Sequence, residues 1–221
     1  MDTRFTFSKR FQYTAIALLI LGAAVIAYGF ITQPDRAWAN LLLNNYYFLS
    51  LAIGASFFLA LQHISQSGWS SMFKRVPEAM MAFVPYAGVI MLLLYFGMHS
   101  LYHWSHEEAL ASDAIIQHKA PYLNIPFFFI RMILFFMAWT VMTRLLRKAS
   151  LNEDKTGGLL NFEKSELLSK IHIFLLAITF SFATFDWIMS LDVHWFSTIF
   201  SLRNFVAAFY HGTAVIALVV I

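Results

Sequence analysis

Apolar residues run through this chain in long windows, without the alternation of a half-buried strand or the single stripe of a surface helix. Windows of about 20 residues, each enough to cross roughly 30 Å of hydrocarbon, recur near residues 13–31, 44–63, 79–99, 125–144, 171–191 and 197–221. Polar breaks separate them. Thr32-Gln33-Pro34-Asp35 reads as a turn, Gln66-Ser67-Gly68-Trp69 as a short corner, and residues 150–169, with Gly157 and Gly158, as the longest polar loop. Pro77 and Pro126 stand in first helical turns, where proline removes no hydrogen bond, while Pro85 falls inside the third window and predicts a kink. The pattern predicts an all-α integral membrane protein, a helical bundle of six transmembrane spans forming one membrane domain over residues 1–221.

Composition supports that reading. With 60% hydrophobic and 12% charged residues the 221-residue chain is too apolar for a soluble domain, and its mean hydropathy is +0.66. Cysteine is absent, which excludes disulfides, thiolate metal sites and cysteine-ligated iron–sulfur clusters in this chain. The basic residues are sided. Arg4, Lys9, Arg10, Lys74, Arg75, Arg144, Arg147, Lys148, Lys155, Lys164 and Lys170 make eleven on one side, against Arg36 and Lys119 on the other. That asymmetry places the amino terminus and the second and fourth loops in the cytoplasm and residues 102–121 outside. The net charge of +3 therefore reflects sidedness, not affinity for nucleic acid. Residues 16–31 continue as a full span with no cleavage site, so the first span is expected to act as the insertion signal. The last window ends on Ala217-Leu218-Val219-Val220-Ile221 without a polar flank, and the chain is expected to be incomplete at that end.

The chemistry lies in the polar residues within the spans. An ionised carboxylate in hydrocarbon costs a few kcal/mol at least, so Asp186 needs a partner or a proton. At 1.5 Å of rise per residue, His99, Arg131, Asp186 and Arg203 fall about 5 to 12 Å in from the outer ends of their spans. One cluster of these four is the economical expectation, with Asp186, Arg131 and Arg203 as its ion pairs, because guanidinium binds carboxylate through two bonds at once. A structural lock between spans four, five and six fits the same residues. At the cytoplasmic mouth His63, Glu78 and His172 close or open spans, and they could equally face headgroups. His172, Thr179, Asp186 and Ser190 fall within about 40° on one helical face, which suits a proton wire or polar packing glue. His99, His103 and His106 fit an aromatic belt at the water interface better than a metal. His63 with His172 is the one histidine pair matched in depth for a haem. No phosphate-cradling glycine loop or nucleophile motif is present.

Three ordered motifs carry a resemblance. They are Ala60-Leu61-Gln62-His63 with Ser67-Gly68-Trp69-Ser70 and Arg75-Val76-Pro77-Glu78-Ala79-Met80; Pro121-Tyr122-Leu123-Asn124-Ile125-Pro126-Phe127-Phe128-Phe129-Ile130-Arg131; and Phe185-Asp186-Trp187-Ile188-Met189-Ser190-Leu191-Asp192-Val193-His194-Trp195-Phe196-Ser197-Thr198. Spanning windows two to six, they resemble the ActF family, the second large membrane subunit of bacterial alternative complex III, akin to the NrfD-like polysulfide-reductase membrane proteins. The resemblance implies a multi-pass protein of roughly ten spans, of which this chain is the first part. It further implies a subunit of a quinol:cytochrome c (or similar acceptor) oxidoreductase in the bacterial inner membrane. There an ActC-like sister subunit holds the quinol, and multihaem and monohaem cytochrome c subunits and an iron–sulfur subunit carry electrons. A terminal oxidase can join that assembly. ActF-type subunits carry no cofactor or metal of their own, and polar half-channels for protons are suggested in them. Two departures stand out: Val193 replaces a usual proline, and Ser201 to Phe205 with Tyr210-His211 depart from the family's apolar run.

The expected roles are Asp186 as protonatable centre, Arg131 as its partner, His99 as a neighbour where protons leave or arrive, and Glu78, His63 and His172 as the cytoplasmic mouth. Competing readings are a subunit that itself binds quinone or haem b, and a secondary transporter, for which Pro85 is the one hint of a broken helix.

Overall fold

Gln33 and Pro34 divide the first two helices in a computed structural model that describes residues 8–157 and 159–221. Arg4 and Gly158, both used in the sequence reading, lie outside the described residues. α1 (Lys9–Thr32) starts under the Ser8 hydroxyl, which accepts from the Phe11 amide at 3.3 Å; α2 (Pro34–Ile64) starts with proline in its first turn and Asp35 beside the positive end of its dipole. The described residues contain no strand. Six helical segments among them are long and apolar enough to cross a membrane: Lys9–Thr32, Pro34–Ile64, Arg75–Leu101, Ile125–Thr156, Leu159–Leu191 and Phe200–Val220. This is the pattern of a multi-pass membrane protein.

α2 is the pillar of the bundle. Leu42, Leu49, Ile53, Ala60 and His63 recur at helical spacing along a buried face that meets the third, fifth and sixth segments. α1, in contrast, buries no residue and rests on α2 alone among its main contacts. The third segment is broken, as Pro85 predicts. α3 (Arg75–Met81) stops at Ala82, α4 (Val84–Leu92) restarts with Pro85 in its first turn, and a tighter turn over Leu93–Gly97 leads to α5 (Met98–Leu101). The following polar stretch folds into two short helices, α6 (Glu107–Ser112) and α7 (Ala114–Lys119), which bury Ala109 and Ile116.

α8 (Ile125–Thr156) is capped by Asn124, whose side-chain oxygen accepts the Phe127 amide at 3.0 Å, and α9 (Leu159–Trp187) follows it. These two helices correct the sequence reading. Residues 150–169 are polar but mostly helical, because Asn152, Glu153, Lys155, Glu163 and Lys164 are no helix breakers; polarity marked the end of hydrocarbon, not of the helix. The break is at Gly157, whose φ of +64° suits glycine. α10 (Phe200–Val220) crosses α2 where Gly54 faces Gly212. A Cβ on Gly54 would sit 2.1 Å from the Ala208 carbonyl oxygen, so the two backbones can meet only through small residues.

The aromatic core lies between α8 and α9. The Trp187 ring stacks on Phe136 at 5.3 Å with planes 7° apart, and Trp139 meets Trp187 edge-on at 5.8 Å. This packing carries Asp186, the residue before Trp187, into the interior.

Candidate functional site

Asp186 lies in the last turn of α9, where the helix dipole already presents negative charge, and its side chain is fully buried. Both effects disfavour a lone carboxylate. Arg131, six residues into α8 and about 9 Å along its axis, supplies the compensation. Its Nε donates to Asp186 Oδ2 at 2.7 Å and its Nη2 to Oδ1 at 3.0 Å, a two-bond fork, while Nη1 donates to the Tyr122 carbonyl at 3.0 Å. The guanidinium carbon lies 3.9 Å from the centre of the Tyr122 ring and 4.2 Å from that of Phe127. Arginine tolerates that apolar covering because its charge is spread over a plane that rings can flank.

A second layer closes the site from the loop that follows α5. Tyr102 donates to the Trp187 carbonyl at 2.9 Å, and the Trp104 indole N–H donates to Ser190 at 3.4 Å. Ser190 in turn donates to the Asp186 carbonyl at 2.5 Å. Burial pushes the Tyr102 phenol well above its ordinary value, and the Asp186 carboxylate adds to the shift; Tyr122 shifts the same way for the same reasons. The Tyr122 hydroxyl feels the Asp186 charge yet makes no hydrogen bond of full geometry. Lys119 donates to the Val193 carbonyl at 2.6 Å, and His194 meets Asp113 at 2.7 Å, so α7 is tied to the segment after α9. Beside the pair a cleft of about 460 Å³ opens between Tyr122, Phe182, Phe185, Met189 and Trp195.

The expected cluster of four is therefore a cluster of two. Arg203 is exposed on α10 and, among the described residues, has no ion-pair partner, because the face of α10 that meets α2 is the small-residue face of Ala208 and Gly212. His99 is exposed as well. Its Nδ1 shares a hydrogen bond with Ser105 at 3.0 Å, and its carbonyl bonds the His106 ring at 2.8 Å, which holds it to the loop that follows α5 and away from Asp186. Equal depth did not imply a shared face.

At the other end the structure divides the mouth in two. His63 of α2 bonds Ser169 of α9 at 3.1 Å, and His172 of α9 bonds Ser56 of α2 at 3.0 Å, two antiparallel rungs across one buried seam. His172 Nδ1 has no partner there. Glu78 sits elsewhere, in the contact of α3 with α8, where Arg75 pairs with both Glu78 and Asp154 and reaches Ser150 at 3.3 Å; Lys74 meets Asp154 at 3.1 Å. The Arg75–Glu78 spacing of three was a legible helical signal for that pair. Tyr122 had no such signal, since its hydrogen bond to Arg131 comes from the backbone carbonyl and its ring meets the guanidinium from outside α8.

His172, Thr179 and Asp186 of α9 and Ser190 in the turn after it do line the inward side, but steps of about 10 Å separate the first three. Leu176, Phe180 and Ala183 are buried between them. Thr179 accepts the Trp139 indole N–H at 2.7 Å and donates to the Leu175 carbonyl at 2.8 Å, so its one proton is committed. Among the described residues no group of three His, Asp or Glu side chains is placed to hold a metal ion, the His99, His103 and His106 trio included. No protein-family model matches this chain, and no curated protein matches it.

Proposed function

We propose that the chain is a cofactor-free membrane subunit of a quinol-oxidising electron-transfer complex of the bacterial inner membrane. In this reading an ActC-like sister subunit holds the quinol beside it, and cytochrome c and iron–sulfur subunits carry the electrons. The three motifs of the sequence support the assignment to such a complex. The observation that carries the chemical role is the fully buried, two-bond Arg131–Asp186 pair at the outer end of α8 and α9. A neutralised carboxylate held out of water is a group that can take up a proton when its guanidinium partner swings away, and it is also a lock between two spans. The α2–α9 histidine seam is the matching polar group at the other end. Between the two, Thr179 must release its bond to Leu175 before a proton could pass.

The test is Asp186→Asn in the assembled complex, with complex yield monitored. A proton role predicts assembled complex with impaired quinol turnover or proton-motive response. If both are unaltered, the pair is structural only. One observation favours a second reading, that this subunit itself binds quinone: the apolar cleft flanked by Tyr122, Phe185 and Trp195 beside the pair. Photo-crosslinking by an azido-quinone to this chain, lost in Phe185→Trp, would support it.

A further inference from the structure

Arg144 and Arg147 project from α8 one turn apart, and both are exposed. Among the described residues neither has an ion-pair or hydrogen-bond partner, although the neighbouring Lys74 and Arg75 are engaged by Glu78, Glu153 or Asp154. Arg144 lies about 28 Å along α8 from Ile125, the depth at which hydrocarbon gives way to headgroups. Both arginines face a cleft of about 200 Å³ between α8 and the α3–α4 break, lined also by Glu78, Pro85, Tyr86 and Thr143. The break supplies the opening.

Glu78 gives the cleft a second polar feature. The residue is 2% exposed; its Oε2 pairs with Arg75, but its Oε1 is buried without a partner. An unmatched buried acceptor is costly, and Thr143 cannot serve it because its hydroxyl is committed to the Trp139 and Thr140 carbonyls. The cleft thus offers two free guanidiniums and one acceptor awaiting a donor, at the membrane surface that the charge asymmetry makes cytoplasmic.

We propose that this cleft binds an anionic glycerophospholipid whose headgroup carries a hydroxyl, with the phosphodiester on Arg144 and Arg147 and the hydroxyl donating to Glu78 Oε1. Phosphatidylglycerol has this chemistry. Phosphatidylcholine lacks both net charge and donor, and phosphatidylethanol keeps the charge without the donor.

The test is retention of lipid by the full chain, released from nanodiscs of equal parts phosphatidylglycerol, phosphatidylethanol and phosphatidylcholine and read by native mass spectrometry. Retention is expected to fall in that order. Arg144→Gln with Arg147→Gln should cut phosphatidylglycerol retention by at least about tenfold, the worth of one charge-assisted contact out of the two removed, while Lys148→Gln leaves it unchanged. Equal retention of the three lipids by the unaltered chain would overturn the site without any variant. Unchanged retention by the double variant would overturn it too, and equal retention of phosphatidylglycerol and phosphatidylethanol would overturn the role of Glu78. Inorganic phosphate added before release should displace nothing; displacement would mean that the cleft takes a free anion and not a lipid.

Discussion

Arg131 satisfies three donors with two partners and lies against two rings, so its value to the fold is the charge it neutralises. Removing one member of a buried pair strands the other. Arg131→Leu is expected to destabilise by about 3–5 kcal/mol, and Arg131→Leu with Asp186→Leu to recover most of that loss, as read by thermal unfolding in detergent. Outside the six apolar segments Asp113 behaves differently. Desolvation raises its pKa, but the Ile115 and Ile116 amides and the His194 ring outweigh that and hold its carboxyl below the usual carboxylate range. A depressed folded value contributes stability above the unfolded pKa of about 3.9, and that contribution is lost as pH falls through the lower folded value. Protection of the Ile115 and Ile116 amides from hydrogen exchange should therefore weaken on acidification below that range, and in Asp113→Ala, which removes the acceptor, it should be weak already near neutral pH. The need of Asp186 for a partner was legible from one residue in one apolar window. Arg131 is the partner expected, but that Arg203 stands outside the pair was not legible, because depth along a helix says nothing about which way its side chain turns.

Between elements, small residues decide distances. Gly54 and Gly212 let α2 and α10 touch, and Gly54→Ala must push a methyl against the Ala208 carbonyl. Overpacking of this kind costs about 1–3 kcal/mol, and α10 is the element expected to loosen, seen as new protease sensitivity near Ile199. Gly157→Ala is expected to strain the α8–α9 turn by backbone alone, since its surroundings are open but its positive φ disfavours any Cβ. The α8–α9 hairpin also shows where hydropathy misleads. Windows of apolar residues located both spans, yet the helices run on through Asn152 and Glu153 on one side and Asn161 and Glu163 on the other. Water ends a span but not a helix whose residues favour the helical backbone.

At the scale of the whole molecule the sided charges predict an orientation that the absence of cysteine makes simple to check. Single Thr156→Cys and Ser112→Cys variants should label with an impermeant maleimide from opposite faces, Thr156→Cys only after the cytoplasmic face is opened. The reverse result would invert the orientation. Ordered polar groups concentrate at the two ends of α9 and thin out at its middle, where Trp139 and Thr179 are bonded to each other. A chain that moves protons must open there, so a larger cleft at position 139, as in Trp139→Ala, should alter conduction more than any change on α1, which buries none of its residues.

Apolar window length, proline placement and loop charge suffice for the number of spans, their order, the break at Pro85 and the expected sidedness, because each depends on local composition against a slab of fixed thickness. The rotation of each helix about its own axis is different. It follows from how rings such as Trp187 and Phe136, and glycines such as Gly54 and Gly212, fit one another across helices, and only that rotation brought Arg131 to Asp186 while leaving Arg203 and His99 outside.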